Sequence, residues 1–331
     1  MDTPLTDIAP APFKDRMVGL VIFGILTILL GLICLVLVGF MTFAMSLAAK
    51  SSPGVINWQT QSMVMGIYGS IAGINIWLGI GSIMARRWAR AVLLILSWSW
   101  LVMGIFMTVG MCFIFNHMTD AMMMGSQASV MTPVSAKTIV LSTMAFISAI
   151  FIFIPLIWVL FYGGKNVKAT CESRDPVIRW TDRCPLPVIA ASLWLFFSGL
   201  CMLLMPFAYG GVLPFFGMIL SGVPGGIIYI ILAIVFFYCS YAFYRLDLKG
   251  WWIKVIILIL FGISNALTYT RHSMTEMAAI MYRDLPADQL KIIQDSTWMN
   301  NNTMVWMGTV NVLVMLGYLL YIRKFFPKKV V

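Results

Sequence analysis

The chain has 331 residues, of which 61% are hydrophobic and only 10% are charged, and its mean hydropathy is +0.95. A typical soluble domain is about half apolar and about one quarter charged, so this composition excludes a soluble globular protein and indicates one embedded in a membrane. The net charge of +10 is therefore expected at the membrane surface, where it favours anionic lipid head groups. It does not indicate a nucleic-acid partner.

Eight apolar segments reach the length of about 20 residues that a helix needs to cross a bilayer. They cover residues 17–45, 63–84, 91–115, 138–163, 186–208, 223–244, 252–270 and 304–323. The sequence therefore predicts an all-α integral membrane protein with eight transmembrane helices.

Lysine and arginine are distributed unevenly between the two sides of this arrangement. If the loops are assigned alternately to two sides, 17 of the 22 basic residues fall on the side of the N-terminus. The remaining five are Lys50, Lys137, Arg271, Arg283 and Lys291. The positive-inside rule then predicts that both termini are cytoplasmic. We expect the protein in a bacterial or archaeal cytoplasmic membrane.

Weak internal matches recur in the same order in the two halves of the chain. Residues 13–17 (FKDRM) resemble residues 180–184 (WTDRC), Trp88 aligns with Trp252, and TMAF at 143 resembles TMVW at 303. Their order predicts two tandem four-helix repeats in parallel orientation, an arrangement that several transporters use. The predicted segments are a cytoplasmic tail (1–16), the first half (17–163), a cytoplasmic linker (164–185), the second half (186–324) with an outer helical excursion (271–303), and a basic cytoplasmic tail (325–331).

The predicted spans contain few polar side chains. All 12 Asp and Glu residues lie outside them, which argues against a proton-coupled pump, because proton relays use ionisable groups within the membrane. Asn75, Asn265 and Asn311 remain inside the spans. They either hydrogen-bond between helices, contributing about 1 kcal/mol each, or line a path for a neutral solute. We favour the structural role.

The second span also carries small residues at helical spacing, namely Gly66, Gly69, Ser70 and Gly73. Such spacing allows helices to approach one another closely. The simpler interpretation is packing within the chain's own bundle, and the alternative is contact with a helix of another protein.

The chain has two histidines, and each lies near an acid and several methionines. Copper(I) favours thioether and imidazole ligands. The candidate metal ligands are therefore His117, His272, Met118 and Met274, all on the predicted outer side.

Two features favour a structural role for these residues. Residues 273–276 (SMTE) have the pattern of a helix capping box, and Met274, Met277 and Met281 then lie on one apolar stripe of the helix. The two histidines also lie at different distances from Trp88 and Trp252, so the repeat does not make them equivalent. We predict no cofactor, with copper or haem as the alternative.

The linker is the most distinctive polar stretch of the chain. It places Arg174, Arg179, Trp180, Asp182 and Arg183 close together in sequence. These residues suit either a connector held at the lipid head groups or a docking surface for a cytoplasmic partner or an anionic lipid. The connector is the simpler interpretation.

The linker also holds Cys171 and Cys184. A disulfide is not expected in a reducing compartment. A structural zinc ion needs four ligands, of which the linker supplies two.

The sequence has no HExxH, GxSxG or P-loop motif, so we predict that the protein is not an enzyme. Three hypotheses follow. The first is an accessory or assembly subunit of a larger membrane complex. As partners of the chain we expect other membrane subunits or, alternatively, further copies of the chain itself. The second is a transporter of a neutral or weakly polar solute between the two repeats. The third is an outer-face copper or cofactor-binding protein.

Overall fold

The structure is a computed structural model that describes residues 13–51, 58–124, 133–281 and 301–327. These residues form ten α-helices, one β-hairpin and two short 3₁₀ turns at Trp180–Asp182 and Arg323–Phe325. The elements are α1 (Met17–Ser51), α2 (Trp58–Ile83), α3 (Arg87–Met124), α4 (Pro133–Tyr162), α5 (Lys165–Arg174), α6 (Leu186–Tyr209), β1 (Leu213–Phe215), β2 (Met218–Leu220), α7 (Gly222–Tyr244), α8 (Leu248–Arg271), α9 (Met274–Met281) and α10 (Asn301–Ile322).

Eight of the described helices are long and apolar enough to cross a membrane, which confirms the predicted number of spans. They are α1 to α4, α6 to α8 and α10. Helices α3 and α8 each begin about one turn before the predicted span. Their first turns carry charged residues, such as Arg87 and Lys249, which lower the hydropathy there. Hydropathy alone does not detect such a turn.

The contacts divide the chain into two compact units. The first unit comprises Met1–Pro53, Met65–Phe113 and Lys137–Trp180, and the second comprises Gly54–Val64, Ile114–Ala136 and Thr181–Val331. The first unit therefore contains most of α1 to α4 together with α5. The second contains α6 to α10 and the hairpin.

Close helix approach and one buried hydroxyl pair hold the first unit together. A Cβ atom built on Gly24 of α1 would lie 2.8 Å from the carbonyl oxygen of Gly79 in α2. The hydroxyl of Ser82 donates to the carbonyl of Leu20 at 3.0 Å and lies 2.8 Å from the hydroxyl of Tyr162. These contacts join α1, α2 and α4 at one end of the unit.

Hydroxyl and indole groups play the same part in the second unit. Ser192 of α6 and Ser240 of α7 each donate to the other's backbone carbonyl at 2.8 Å. The indole nitrogen of Trp251 in α8 donates to the carbonyl of Leu319 in α10 at 2.9 Å. These hydrogen bonds satisfy buried polar groups and join α6 to α7 and α8 to α10.

The antiparallel hairpin β1–β2, in which Leu213 pairs with Leu220, was not predicted from the sequence. Its tip has positive φ at Phe216 (45°) and Gly217 (85°). The two tip amides donate to the hydroxyls of Ser264 (2.9 Å) and Thr268 (3.1 Å) on α8. Because backbone amides must be satisfied near a membrane, these two hydroxyls let the chain turn back without a helix.

Candidate functional site

A buried carboxylate organises the end of the first unit. Asp175 follows α5, its side chain is only 1% exposed, and its two oxygens accept hydrogen bonds from Arg179 at 2.8 and 3.1 Å. It also accepts a bond from the backbone N–H of Arg87 at 3.3 Å, and Arg86 lies 3.8 Å away. The hydrogen bonds from Arg179 hold the pKa of Asp175 below its usual value. We call Asp175, Arg86, Arg87 and Arg179 the Asp175 cluster.

Helix α5 is also tied to the start of α1. Arg174 donates to Asp15 at 3.0 Å, and the backbone N–H of Arg16 donates to the hydroxyl of Thr170 at 3.0 Å. Asp15 in turn accepts a bond from the N–H of Met17 at 2.9 Å and so caps α1. The contact with Arg174 lowers the pKa of Asp15. The linker thus contacts the start of α1, the start of α3 and the turn that precedes α3.

The predicted linker residues divide into two groups. Arg174 and Arg179 make the ion pairs described above, which is what a structural connector requires. Trp180, Asp182 and Arg183 are exposed. The segment before them exposes two apolar side chains, Val177 (57%) and Ile178 (69%).

A pocket of about 320 Å³ opens beside the Asp175 cluster. We call it the interfacial pocket, and its main lining residues are Trp77, Ile80, Met84, Arg86, Trp88 and Arg179. The rings of Trp77 and Trp88 are stacked, with centroids 4.2 Å apart. The pocket combines two guanidinium groups with an apolar wall where α2 ends and α3 begins.

The small residues of α2 point away from the rest of the described chain. A Cβ atom built on Gly66, Gly69 or Gly73 would meet no described residue of another element within 4 Å. Ser70, on the same face, donates only to the carbonyl of Gly66 in its own helix. We call these four residues the α2 glycine face. The simpler prediction, packing of this face within the chain, has no supporting contact among the described residues.

The three span asparagines are not brought together by the structure. The amide of Asn75 donates to the carbonyl of Ile71 in its own helix at 2.8 Å. The amide nitrogen of Asn265 would lie 2.7 Å from a Cβ built on Gly308, so α8 and α10 pack closely there. Asn311 is exposed on α10.

His272 ends α8 and contacts Glu276 of α9, with Nδ1 and Oε2 2.9 Å apart. The N–H of Glu276 donates to Ser273 Oγ at 3.1 Å, so Ser273 caps α9 as predicted, although the Glu276 carboxylate contacts the histidine. A depression of about 540 Å³ beside this pair is lined mainly by apolar side chains.

The predicted methionine stripe of α9 is confirmed. Met277 is buried against Val212 and Tyr269, and Met274 and Met281 pack against the same cluster. The side chain of His117 lies outside the described part of the structure, and Met118 is 38% exposed on α3. Within the described ranges, no three His, Cys, Asp or Glu side chains are grouped as metal ligands.

Both linker cysteines are buried free thiols. Burial raises the pKa of Cys171 and of Cys184 to about 11. Since the thiolate is the nucleophile and the metal ligand, both groups are chemically quiet at neutral pH.

The sequence did not indicate that one site contains Asp175, Arg86, Trp77 and Trp88. The linker has two aspartates beside arginines, and nothing local distinguishes the buried Asp175 from the exposed Asp182. The distinction depends on Arg86, which is distant in sequence. An arginine pair directly between two apolar spans is the signal that could have indicated it.

No protein-family model, curated protein or solved structure matches this chain. Its function is therefore inferred from its own surfaces.

Proposed function

We propose that this protein is a non-catalytic accessory or assembly subunit of a larger membrane complex, and that the α2 glycine face receives a transmembrane helix of another subunit. The observation that carries the proposal is the open space over Gly66, Gly69 and Gly73. Transmembrane helices associate through small residues because these let two backbones approach. A smooth helix face that its own chain leaves uncovered is suited to a partner helix.

Other glycines in the same helices show what internal packing looks like here. A Cβ on Gly31 of α1 would lie 2.9 Å from the carbonyl oxygen of Ala72 in α2, and one on Gly79 would lie 2.6 Å from the carbonyl of Gly24. These glycines are required by the fold. The α2 glycine face has the same composition without such a neighbour, and the exposed side chains of Ile67 and Ile74 lie together along one edge of it.

Asn311 supports the proposal independently. It lies in the middle of α10 and is exposed, between Met307 (51% exposed) and Val314 (43% exposed) on the same helical face. No described residue hydrogen-bonds to its amide. An amide in hydrocarbon is costly unless it is hydrogen-bonded, and a polar group of a partner helix would satisfy it.

The proposed topology consists of two tandem four-helix repeats in parallel orientation. Two equivalent turns support the repeat. The α2–α3 turn has positive φ at Ala85 (52°) and a bond from the Arg86 N–H to the Gly81 carbonyl. The α7–α8 turn has positive φ at Leu246 (56°) and a bond from the N–H of the next residue to the Ala242 carbonyl. Corresponding residues lie 161 positions apart, three fewer than the alignment of the tryptophans predicts.

The side-chain packing at these turns is also equivalent. A Cβ on Gly81 would lie 2.6 Å from the Cβ of Ala89, and a Cβ on Gly250 would lie 2.4 Å from the Cβ of Ala242. The same contact thus occurs in both halves with glycine and alanine exchanged. With 17 of the 22 basic residues on their side, we place both termini in the cytoplasm of a bacterial or archaeal cell.

Transport of a neutral or weakly polar solute is the second candidate, and the parallel repeat is the observation that favours it. The two asparagines proposed for the path, Asn75 and Asn265, are occupied by a backbone carbonyl and by helix packing, respectively. This arrangement favours a structural role for both, so we rank transport below the accessory role. Asn75→Leu and Asn265→Leu would abolish solute uptake into liposomes if the path exists.

The accessory role is tested by purifying the tagged chain from its native membrane in a mild detergent. The wild-type chain should retain other membrane polypeptides in fixed stoichiometry, and Gly69→Leu should lose them because its side chain keeps a partner helix from approaching the α2 glycine face. Gly39→Leu is the matched control, since a Cβ on Gly39 also meets no described residue within 4 Å. Failure of the wild type to retain any polypeptide would contradict the proposal. Equal retention by both variants would exclude the α2 glycine face as the docking surface.

A further inference from the structure

The interfacial pocket has two chemically different walls. Arg86 and Arg179 line one side, whereas Trp77, Ile80 and Met84 continue onto the exposed surface of α2, where they are 57%, 46% and 52% exposed. The adjoining spans end at Ile83 and begin at Arg87. The pocket therefore lies at the level where lipid head groups meet the hydrocarbon, and a molecule that covers both walls must be amphipathic.

The charged wall favours an anion. Asp175 is the carboxylate that faces both arginines, and it is only 1% exposed and already accepts two hydrogen bonds from Arg179. Two guanidinium groups and one carboxylate leave a net positive charge. The Arg86 side chain is 36% exposed and lies 3.8 Å from Asp175, longer than a hydrogen bond. Its guanidinium group is therefore available to a phosphate, which arginine binds through parallel donors.

We propose that the interfacial pocket binds one anionic phospholipid, with the phosphate between Arg86 and Arg179 and an acyl chain along Trp77, Ile80 and Met84. The volume of about 320 Å³ is at the lower end of the range for small-molecule pockets, about 300–1,000 Å³. It accommodates the head group while the chains lie outside, along α2. Free phosphate would leave the apolar wall uncovered, and a cationic head group would be repelled by the arginines.

The stacked tryptophans fit this occupant. Tryptophan is enriched at the membrane interface because its ring is apolar and its N–H is polar. Trp77 and Trp88 stack at 4.2 Å, so they present one rigid surface at the mouth of the pocket. This proposal does not depend on the accessory role, because none of the residues that line the pocket belongs to the α2 glycine face.

The test uses the full-length protein, delipidated in detergent and titrated with phosphatidylglycerol or phosphatidylcholine while native mass spectrometry counts the bound lipids. The wild type should bind its first phosphatidylglycerol more tightly than phosphatidylcholine. Arg86→Gln should weaken phosphatidylglycerol binding by about fivefold, the factor expected for one basic residue at an anionic surface. It should weaken phosphatidylcholine binding less, because loss of the contact with its phosphate is offset by relief of the repulsion of its choline. Arg245→Gln is the control, because it removes an exposed arginine from a turn in the second unit.

A second variant keeps the proposal testable if Arg86→Gln does not fold. Met84 is 52% exposed, so Met84→Glu should fold normally and place a carboxylate at the mouth of the pocket, with the same loss of phosphatidylglycerol. Three results would overturn the proposal. They are an equal loss in Arg245→Gln, no difference between the two lipids in the wild type, and binding of inorganic phosphate that is as tight as binding of phosphatidylglycerol.

Discussion

Replacing Asp175 by asparagine tests whether the Asp175 cluster stabilises the first unit. Asparagine keeps the shape and one carbonyl acceptor but removes the charge. The carboxylate accepts two hydrogen bonds from Arg179, at 2.8 and 3.1 Å, and a hydrogen bond to a charged group contributes about 1.5–3 kcal/mol net. Removing one partner of a fully buried ion pair costs about 3–5 kcal/mol.

The cost should be smaller here because water reaches the arginines. The side chains of Arg86 and Arg179 are 36% and 32% exposed, whereas Asp175 is 1% exposed. We therefore expect Asp175→Asn to lower the free energy of unfolding by about 2–3 kcal/mol. For a unit of this size, that change lowers the melting temperature by about 5–10 °C. Intrinsic fluorescence during heating reports it, since Trp77 and Trp88 lie beside the cluster.

Glu172→Gln is the matched control. It also removes one carboxylate from the linker, but the pair of Glu172 with Lys168 spans 3.7 Å between side chains that are 41% and 59% exposed. Such surface pairs contribute at most about 1 kcal/mol and often nothing measurable. If Asp175→Asn melts no earlier than Glu172→Gln, the cluster does not stabilise the unit and the structural role of the linker is wrong.

The same variant has a defined pH dependence. The pKa of Asp175 is lowered in the folded protein, so the ionised carboxylate stabilises the fold above the unfolded pKa of about 3.9. This contribution is lost as the pH falls through the folded pKa. The difference in melting temperature between wild type and Asp175→Asn should be constant from about pH 5 to pH 8 and should shrink below about pH 4. A difference that grows on acidification would contradict the assignment.

Three further predictions test the packing and the local chemistry. Gly24→Leu should destabilise the first unit by at least about 1–3 kcal/mol, because the new side chain would meet the α2 backbone. Gly69→Leu should stay within about 0.5 kcal/mol of wild type. Equal melting temperatures of the two variants in detergent would refute the packing of α1 against α2. Cys171 and Cys184 are buried with a pKa of about 11, so maleimide should label them at neutral pH only after denaturation, and rapid labelling of the folded protein would show that they are accessible. Ser273→Ala should remove the cap of α9 at a local cost of about 1 kcal/mol, seen as faster hydrogen exchange in α9 without a change in the global melt, and unchanged exchange would exclude the cap.

Hydropathy was sufficient for the eight spans because bilayer thickness imposes a length that the apolar runs must reach. The local sequence pattern was sufficient to predict α9, because the Ser273 cap and the stripe of Met274, Met277 and Met281 follow from helical spacing. Both inferences use residues that are neighbours in sequence. Neither inference depends on a contact with a distant part of the chain.

Contacts between residues that are distant in sequence could not be predicted from local patterns. The hairpin tip at Phe216 and Gly217 is satisfied by Ser264 and Thr268, which belong to another helix. The burial of Asp175 similarly depends on Arg86. In each case the local sequence is compatible with an ordinary loop, and the partner that makes the structure favourable lies far along the chain.

The α2 glycine face shows a related limit. The spacing of Gly66, Gly69 and Gly73 predicts a close helix contact equally well whether the neighbouring helix is internal or external. The internal neighbour of α2 is α1, which packs against Ala72 and Gly79 on another part of the helix surface. Only the three-dimensional arrangement reveals that the glycines are left uncovered.

The most direct test of the accessory role is native mass spectrometry of the untagged protein, released gently from its own membrane. The chain has a mass of 37.1 kDa. We expect a defined complex whose mass exceeds this value by the masses of other polypeptides. A bare chain of 37.1 kDa, or an assembly made only of copies of it, would contradict the accessory role.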